Sequence, residues 1–261
     1  MKQRTFILML LAVLTSCPSV KVRAQSSQAS GAEDIKALKQ ELEAVKSRQA
    51  RLEQELQELK KALAARGIPV GPTEVVIDVT GTHFKGDPTA RIAVIEFSDY
   101  QCPFCGRHVR ETFPQIERDY IETKKIRYYF LDFPLESIHP QAFRAAEAAN
   151  CAGEQGRFWE MHARLFANQA ALGPDQLIAH AQALSLDLSR FRSCLESGKY
   201  ADKIRSDLRN GQRLGVSGTP MFLIGYVEAD GTRVKGVRWI RGAQPFAAFR
   251  DALDALLTSN K

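Results

Sequence analysis

Cys102 and Cys105, three residues apart, have the most chemistry to offer in this chain. They bracket Pro103 and Phe104 and follow the run Ile92-Ala93-Val94-Ile95-Glu96-Phe97, apolar and β-branched enough for a buried strand. Gly106 to Ile121 is mostly helix-compatible, with a kink expected at Pro114. A strand running into Cys-Pro-Phe-Cys at a helix start puts the first thiol where unpaired N–H groups and the helix dipole favour a thiolate. Pro103 suits the first turn, where its missing N–H has no partner. Cys105, one turn further in, is placed to attack a mixed disulfide formed at Cys102. Such a spacing points to thiol–disulfide redox chemistry. The competing use, half of a zinc site, lacks a second Cys-x-x-Cys or a paired His motif to complete four ligands.

The elements around this pair alternate strand and helix. Glu74–Val79 reads as a first strand, Gly81–Thr89 as a loop, Ile92–Phe97 as the strand feeding the cysteines and Ile126–Phe133 as a third strand. The βαβ pattern predicts a parallel sheet core. From Pro140 to about Gly198 the pattern turns helical: an Ala-rich stretch, then Arg157–Ala171, Pro174–Leu184 and Leu188–Leu195. Tyr200–Leu214 continues as helix. Met221–Val227 and Thr232–Trp239 flank Glu228-Ala229-Asp230-Gly231 as a hairpin, and Pro245–Leu257 closes the chain as a helix. The fold class is α/β with an inserted helical subdomain at about 138–199 in a domain spanning 74–261.

The first 24 residues read as an export signal. Lys2 and Arg4 precede the nine-residue apolar run Phe6–Leu14, too short to span a bilayer. Two processing readings compete. Leu14-Thr15-Ser16-Cys17 is like a lipobox that would lipidate Cys17; Val22-Arg23-Ala24 is an A-x-A-like cleavage site. Lys21 and Arg23 sit awkwardly for the second, which favours lipidation. Both place the mature chain where disulfides are allowed. Of five cysteines, Cys17 is thus accounted for, and Cys151 and Cys194 remain to pair with each other. The net charge is +6, and four of the positive charges lie in this leader, so nothing argues for nucleic acid.

Residues 25–31 form a Ser/Gln/Ala linker, and 67–73, with its Gly and Pro residues, a hinge. Between them, 32–66 carries a heptad: Ile35, Leu42, Gln49, Leu56 and Leu63 at a, Leu38, Val45, Leu52 and Leu59 at d. In a parallel pair Glu41 would meet Lys46, Arg48 would meet Glu53 and Glu55 would meet Lys60, all opposite in sign. This predicts a coiled-coil homo-oligomer, dimer or trimer. The five histidines are dispersed without metal-ligand spacing; His108, one turn after Cys105, reads as a packing or surface residue, and Trp159 and Trp239 as core.

Taken together, Glu-Phe-Ser-Asp-Tyr-Gln-Cys-Pro-Phe-Cys, the helical insertion and Gly215-Val216-Ser217-Gly218-Thr219-Pro220 resemble the DsbA-like thiol–disulfide oxidoreductases, over about Thr73 to Lys261. The resemblance implies a thioredoxin-like fold, here preceded by an N-terminal coiled-coil helix. That helix is similar to the N-terminal extensions of oligomeric disulfide isomerases and ScsC-type members. It implies Cys102 as nucleophile, Cys105 as resolving thiol, Pro220 as the cis-proline beside them and Glu96 as a buried acid of raised pKa that shuttles a proton for Cys105. Pro103, Phe104 and Thr219 would contact substrate. Where DsbA oxidases usually carry His in the inter-cysteine pair, this chain has Phe104, so a less acidic thiol and a less oxidising couple are expected. Thr219 before the proline also resembles isomerases more than oxidases.

Three function classes compete. The leading one is an enzyme of the periplasm or cell envelope, with no cofactor, that forms, isomerises or reduces disulfides in unfolded or misoxidised envelope proteins, with a membrane redox partner. The second is a Cu(I)-binding envelope chaperone using the same two thiols. The third, a structural lipoprotein stalk with an inactive domain, is opposed by the intact cysteine pair, Glu96 and Thr219-Pro220.

Overall fold

The computed structural model describes residues 35–55, 58 and 75–259. The export signal with Cys17, the 25–31 linker, the 67–73 hinge and the heptad residues Leu56, Leu59 and Leu63 lie outside the described residues. The chain divides into two units, Met1–Thr73 and Glu74–Lys261.

In the first unit residues 35–55 form a helix, α1. Every described a and d apolar residue, Ile35, Leu38, Leu42, Val45 and Leu52, is between 53% and 64% exposed. Its charges pair along the helix: Lys46 with Glu43 and Arg51 with Glu55, both at 2.9 Å and both on exposed side chains. Such pairs add only a few tenths of a kcal/mol each.

The second unit is built on a six-stranded sheet in the order β1-β6-β5-β3-β4-β2. Its strands are β1 (Val75–Asp78), β2 (Phe84–Gly86), β3 (Ile92–Ser98), β4 (Ile126–Asp132), β5 (Met221–Val227) and β6 (Arg233–Arg241). β3 is buried along its whole length, which suits its unbroken apolar sequence and central position. Only β3 and β4 run parallel; the other pairings are antiparallel, so the sheet is mixed where the βαβ pattern alone predicted a parallel core. The hairpin β5–β6 and the two short edge strands supply the antiparallel part. β2 forms inside the stretch read as a loop. It has three residues between Gly and Pro signals, and its pairing with Tyr129 and Tyr128 of β4 makes it a strand.

Period-two alternation sends Ile92 and Val94 to one face of the sheet, with Tyr128, Phe222 and Ile224. There they pack on Phe113 and Ile116 of α3 (Phe113–Ile116) and on Phe249 and Leu253 of α9 (Phe246–Ser259). Ala93, Ile95 and Phe97 go to the other face with Leu131, Leu223 and Val216. The helix after β3 is α2 (Pro103–Glu111), which breaks at Thr112 just before Pro114; α3 then runs into a π-helical turn at Glu117–Ile121.

The insertion is α4 (Ala142–Gly153), α5 (Phe158–Ala167), α6 (Pro174–Ala183) and α7 (Leu188–Glu196), followed by α8 (Ala201–Arg213). Its core joins the alanines of α4 to Met161, Leu165, Phe191 and Leu195, and it reaches Tyr100 and both cysteines of the motif. Cys151 of α4 and Cys194 of α7 form a disulfide across this core, with both residues buried. Trp159 and Trp239 are half-buried at the margins of the clusters rather than inside them.

Candidate redox site

β3 ends at Ser98, and Asp99 fastens the turn into α2. Its Oδ1 accepts the backbone N–H groups of Gln101 (2.7 Å) and Cys102 (3.1 Å); its Oδ2 accepts Leu135 N–H (2.8 Å) and pairs with His139 Nδ1 (2.9 Å). Cys102 is the N-cap of α2 and Pro103 opens the first turn. Gln169, past the end of α5, donates to the carbonyls of Tyr100 (2.9 Å) and Cys102 (2.8 Å). Gly106 makes room for it: a Cβ there would lie 2.1 Å from Gln169 Oε1. Thus the helical insertion clamps the same backbone that β3 delivers.

Both thiols are free and both residues are buried, Cys102 at 3% exposure and Cys105 at 0%. Cys102 is thus covered in the folded chain rather than open to solvent. Phe104 is 55% exposed, and Pro103 is exposed beside it. The Arg107 guanidinium lies over the Phe104 ring, 5.4 Å from its centroid. Cys102 Sγ donates to the Thr219 carbonyl at 3.4 Å, and the Thr219–Pro220 peptide bond is cis. Pro220 is buried and Thr219 half-buried.

The electrostatics separate the two thiols. Cys102 is lowered to about 6, chiefly because the Cys105 thiol donates to it; burial opposes this, and the Thr219 side chain and the N–H groups of Cys105 and Phe104 assist. Burial holds Cys105 well above the usual thiol range, and its bond to Cys102 and the charges of Cys102 and Glu96 add to that. Glu96 is buried under α2, and desolvation raises it to about 7 against the bonds from Tyr128 and Ser98. Ser98 Oγ donates to Glu96 Oε1 at 2.8 Å, and Tyr128 Oη to Oε2 at 2.7 Å. His108 is fully buried, with Nε2 3.0 Å from Tyr128 Oη.

The sites expected from the sequence thus fall in two places. Cys102, Cys105, Pro103, Phe104, Glu96, Thr219 and Pro220 converge at one centre. Cys151 and Cys194 are joined elsewhere, in the insertion. Asp99, Gln169, Ser98 and Tyr128 were not anticipated, and His108, read as a packing or surface residue, is a packing residue that also joins the Glu96 bonds. Among the described residues no group of three or more His, Cys, Asp and Glu could hold a metal ion.

The family model described as Thioredoxin matches residues 78–240. This chain belongs to the thioredoxin family. Its fold is shared by α-DsbA1 of Wolbachia pipientis, 25% identical, with a TM-score of 0.56 over 69% of this chain and 92% of that one. Oxidised BdbD of Bacillus subtilis, 19% identical, has a TM-score of 0.61 over 71% of this chain and 98% of that one. Among curated sequences the chain is 37% identical over 176 residues to Na(+)/H(+) antiporter NhaA 1 of Salinispora arenicola, covering 67% of this chain and 26% of that one. NhaA 3 of Salinispora tropica is 36% identical over the same length. This thioredoxin-family chain spans about a quarter of the length of those relatives, and the antiporter name describes them as wholes. Among the described residues of this chain, no helix is long and apolar enough to cross a membrane.

Proposed function

We propose that this protein is an exported thiol–disulfide oxidoreductase that acts on folding proteins as an oligomer, with isomerisation favoured over net oxidation. The observation that carries the reading is the split between its thiols: an acidified Cys102 next to the Thr219 carbonyl and cis-Pro220, above a proton-holding Cys105 near Glu96. In isomerisation the Cys102 thiolate attacks a sulfur of a wrong client disulfide. The S–S bond breaks, a Cys102–client disulfide forms, and the other client sulfur leaves as a thiolate. A second client thiolate attacks the client sulfur of that bond and expels Cys102 unchanged in oxidation state. When no client thiolate comes, Cys105 loses its proton and attacks Cys102. The client then leaves as a dithiol, and the enzyme keeps a Cys102–Cys105 disulfide that a membrane redox partner must reduce. Exposed Phe104, Pro103 and the backbone at Thr219 are the client-facing groups.

A Cys102 pKa of about 6 lies between those of thioredoxin, about 7, and DsbA, about 3.5, which supports a couple less oxidising than DsbA. The exposed a and d residues of α1 support self-association, which would bring two or three sites to one client. The N-terminal signal, the lipobox at Cys17 and the Cys151–Cys194 bond support an envelope location, with or without a lipid anchor.

The test compares refolding of a scrambled multi-disulfide protein with oxidation of its fully reduced form, using the full chain and a deletion of 32–66. The full chain is expected to be oligomeric by light scattering and to unscramble faster than it oxidises; the deletion is expected to be monomeric and to lose unscrambling while gaining oxidation. A monomeric deletion with an unchanged unscrambling rate per site overturns the isomerase reading. Tight Cu(I) retention by the reduced protein without disulfide turnover would favour a copper chaperone instead.

A further inference from the structure

The buried acid beneath the cysteines does not end the line of hydrogen bonds. Ser98 and Glu96 both act on the Cys105 thiol, the hydroxyl favouring its ionisation and the carboxylate opposing it, and the Ser98 hydroxyl donates to Glu96 Oε1 at 2.8 Å. Tyr128 Oη lies 2.7 Å from the other carboxylate oxygen, Oε2, and 3.0 Å from His108 Nε2. The second ring nitrogen of His108, Nδ1, is buried without any hydrogen-bond partner. His108 also lines a pocket of about 530 Å³ between α2 and the β6–α9 connection, together with Arg107, Glu111, Thr112, Gln115 and Gln244. Four groups from three elements, Ser98, Glu96, Tyr128 and His108, thus run in hydrogen-bond contact from beside the resolving thiol towards a pocket along α2.

We propose that Ser98, Glu96, Tyr128 and His108 form a proton relay that connects Cys105 to water in this pocket. The inference rests on the redox reading above and deepens it by giving the Cys105 proton an exit. Glu96 receives the Cys105 proton on Oε1 through the Ser98 hydroxyl and gives up a proton from Oε2 to Tyr128. Tyr128 passes its own hydroxyl proton to His108 Nε2, and His108 releases its Nδ1 proton to pocket water. One proton enters, one leaves, and the Cys105 thiolate is left to attack the Cys102 sulfur of the mixed disulfide and expel the client sulfur as a thiolate. The separate entry and exit oxygens of Glu96 mean that the carboxyl need not rotate. The exit matters because Cys102 and Cys105 are already buried, and a bound client closes the remaining side.

His108 can carry the proton only briefly, since burial lowers it to about 3. The rings around it, Phe222, Phe249 and Phe113, carry no charge. The charged or titratable groups facing the line are Glu96 on β3, Tyr128 on β4, Tyr100 in the turn after β3, Cys102 at the N-cap of α2, Cys105 on α2, His162 on α5, and Arg107 and Glu111 at the pocket.

The test loads Cys102 of the full-length protein with a chromophoric aromatic thiol as a mixed disulfide and follows its release by Cys105 in a single turnover. At pH 6, where Glu96 is mostly protonated and must pass a proton on, Tyr128→Phe and His108→Gln are expected to slow release at least about tenfold, in the range of proton-transfer contributions. The loading of Cys102 should change less than about twofold in both. His108→Ala should be slow and be restored by added imidazole in proportion to the basicity of the imidazole used, which a packing role would not produce. On the wild type, release rates in mixed light and heavy water should curve with deuterium fraction, as several protons move together. Release at the wild-type rate in both Tyr128→Phe and His108→Gln overturns the relay, and so does a linear isotope dependence should the variants not fold. Failure of Cys102 to load, or of Cys105 to release at all in the wild type, overturns the redox reading instead.

Discussion

At the scale of single residues, the decisive contrast is between two thiols one turn apart with opposite shifts. Alkylation of reduced protein should therefore titrate with a midpoint near 6 and fall on Cys102 alone. Cys105→Ala removes the largest cause of that shift and should move the midpoint up by roughly a unit. Cys105→Ser should accumulate Cys102–client mixed disulfides visible by mass spectrometry. First modification at Cys105, or a midpoint near the ordinary thiol value, would contradict the assignment of roles. The cysteine pair, Glu96 and Pro220 were legible because each sits in a short contiguous motif. Ser98, Tyr128 and Asp99 were not, because their partners come from other elements and no local spacing announces them. His108 carried a signal that went unused: at three residues past Cys105 it shares the inward face of α2.

At the scale of elements, α8 shows how closely the scaffold packs behind the site. A Cβ on Gly211 would lie 2.7 Å from the Phe133 ring and 3.2 Å from that of Phe97. Gly211→Ala should gain about 0.5–1 kcal/mol in helix propensity but lose about 1–3 kcal/mol to overpacking. Net destabilisation of roughly 1–2 kcal/mol is expected by urea denaturation; a stabilised variant would mean that α8 yields freely. The helices of the insertion and the hairpin β5–β6 were readable to within a few residues, because apolar periodicity and turn residues agree there. β2 was not, because a three-residue edge strand is created by its pairing with β4 and not by its own composition. For the same reason the mixed character of the sheet could not be read from the one βαβ unit.

At the scale of the whole molecule, buried histidines set the response to acid. His108 and His162 are fully buried and lowered to about 3, and His83 to about 4, in each case first by desolvation. An unfolded chain binds protons at these rings below about pH 6.5, while the folded chain does not until pH 3 to 4. Their stabilisation is thus present above pH 6.5 and lost as pH falls, on the order of 4 kcal/mol for each fully buried ring. Glu96 acts in the opposite sense: its contribution is present below about pH 4.5 and lost as pH rises through about 7, which offsets only part of the acid loss. Thermal midpoints should fall steeply from pH 6.5 towards 4. His162 Nε2 has no partner, and the ring sits among Tyr100, Phe130, Trp159 and Phe166, so His162→Phe should flatten the acid limb by about one proton. An unchanged slope would mean that His162 does not set the limb.

The bond between Cys151 and Cys194 makes each molecule a product of the kind of chemistry it is proposed to perform. Without that bond the insertion that clamps Cys102 through Gln169 loses about 3–4 kcal/mol of cross-linking. Once folded, the sulfurs lie under α4 and α7, at 1% and 6% exposure of their residues. A neighbouring copy with a reactive Cys102 has no approach to them. The bond that braces the insertion is thus held out of reach of the thiol chemistry proposed for Cys102, so a crowded population of active sites does not dismantle itself.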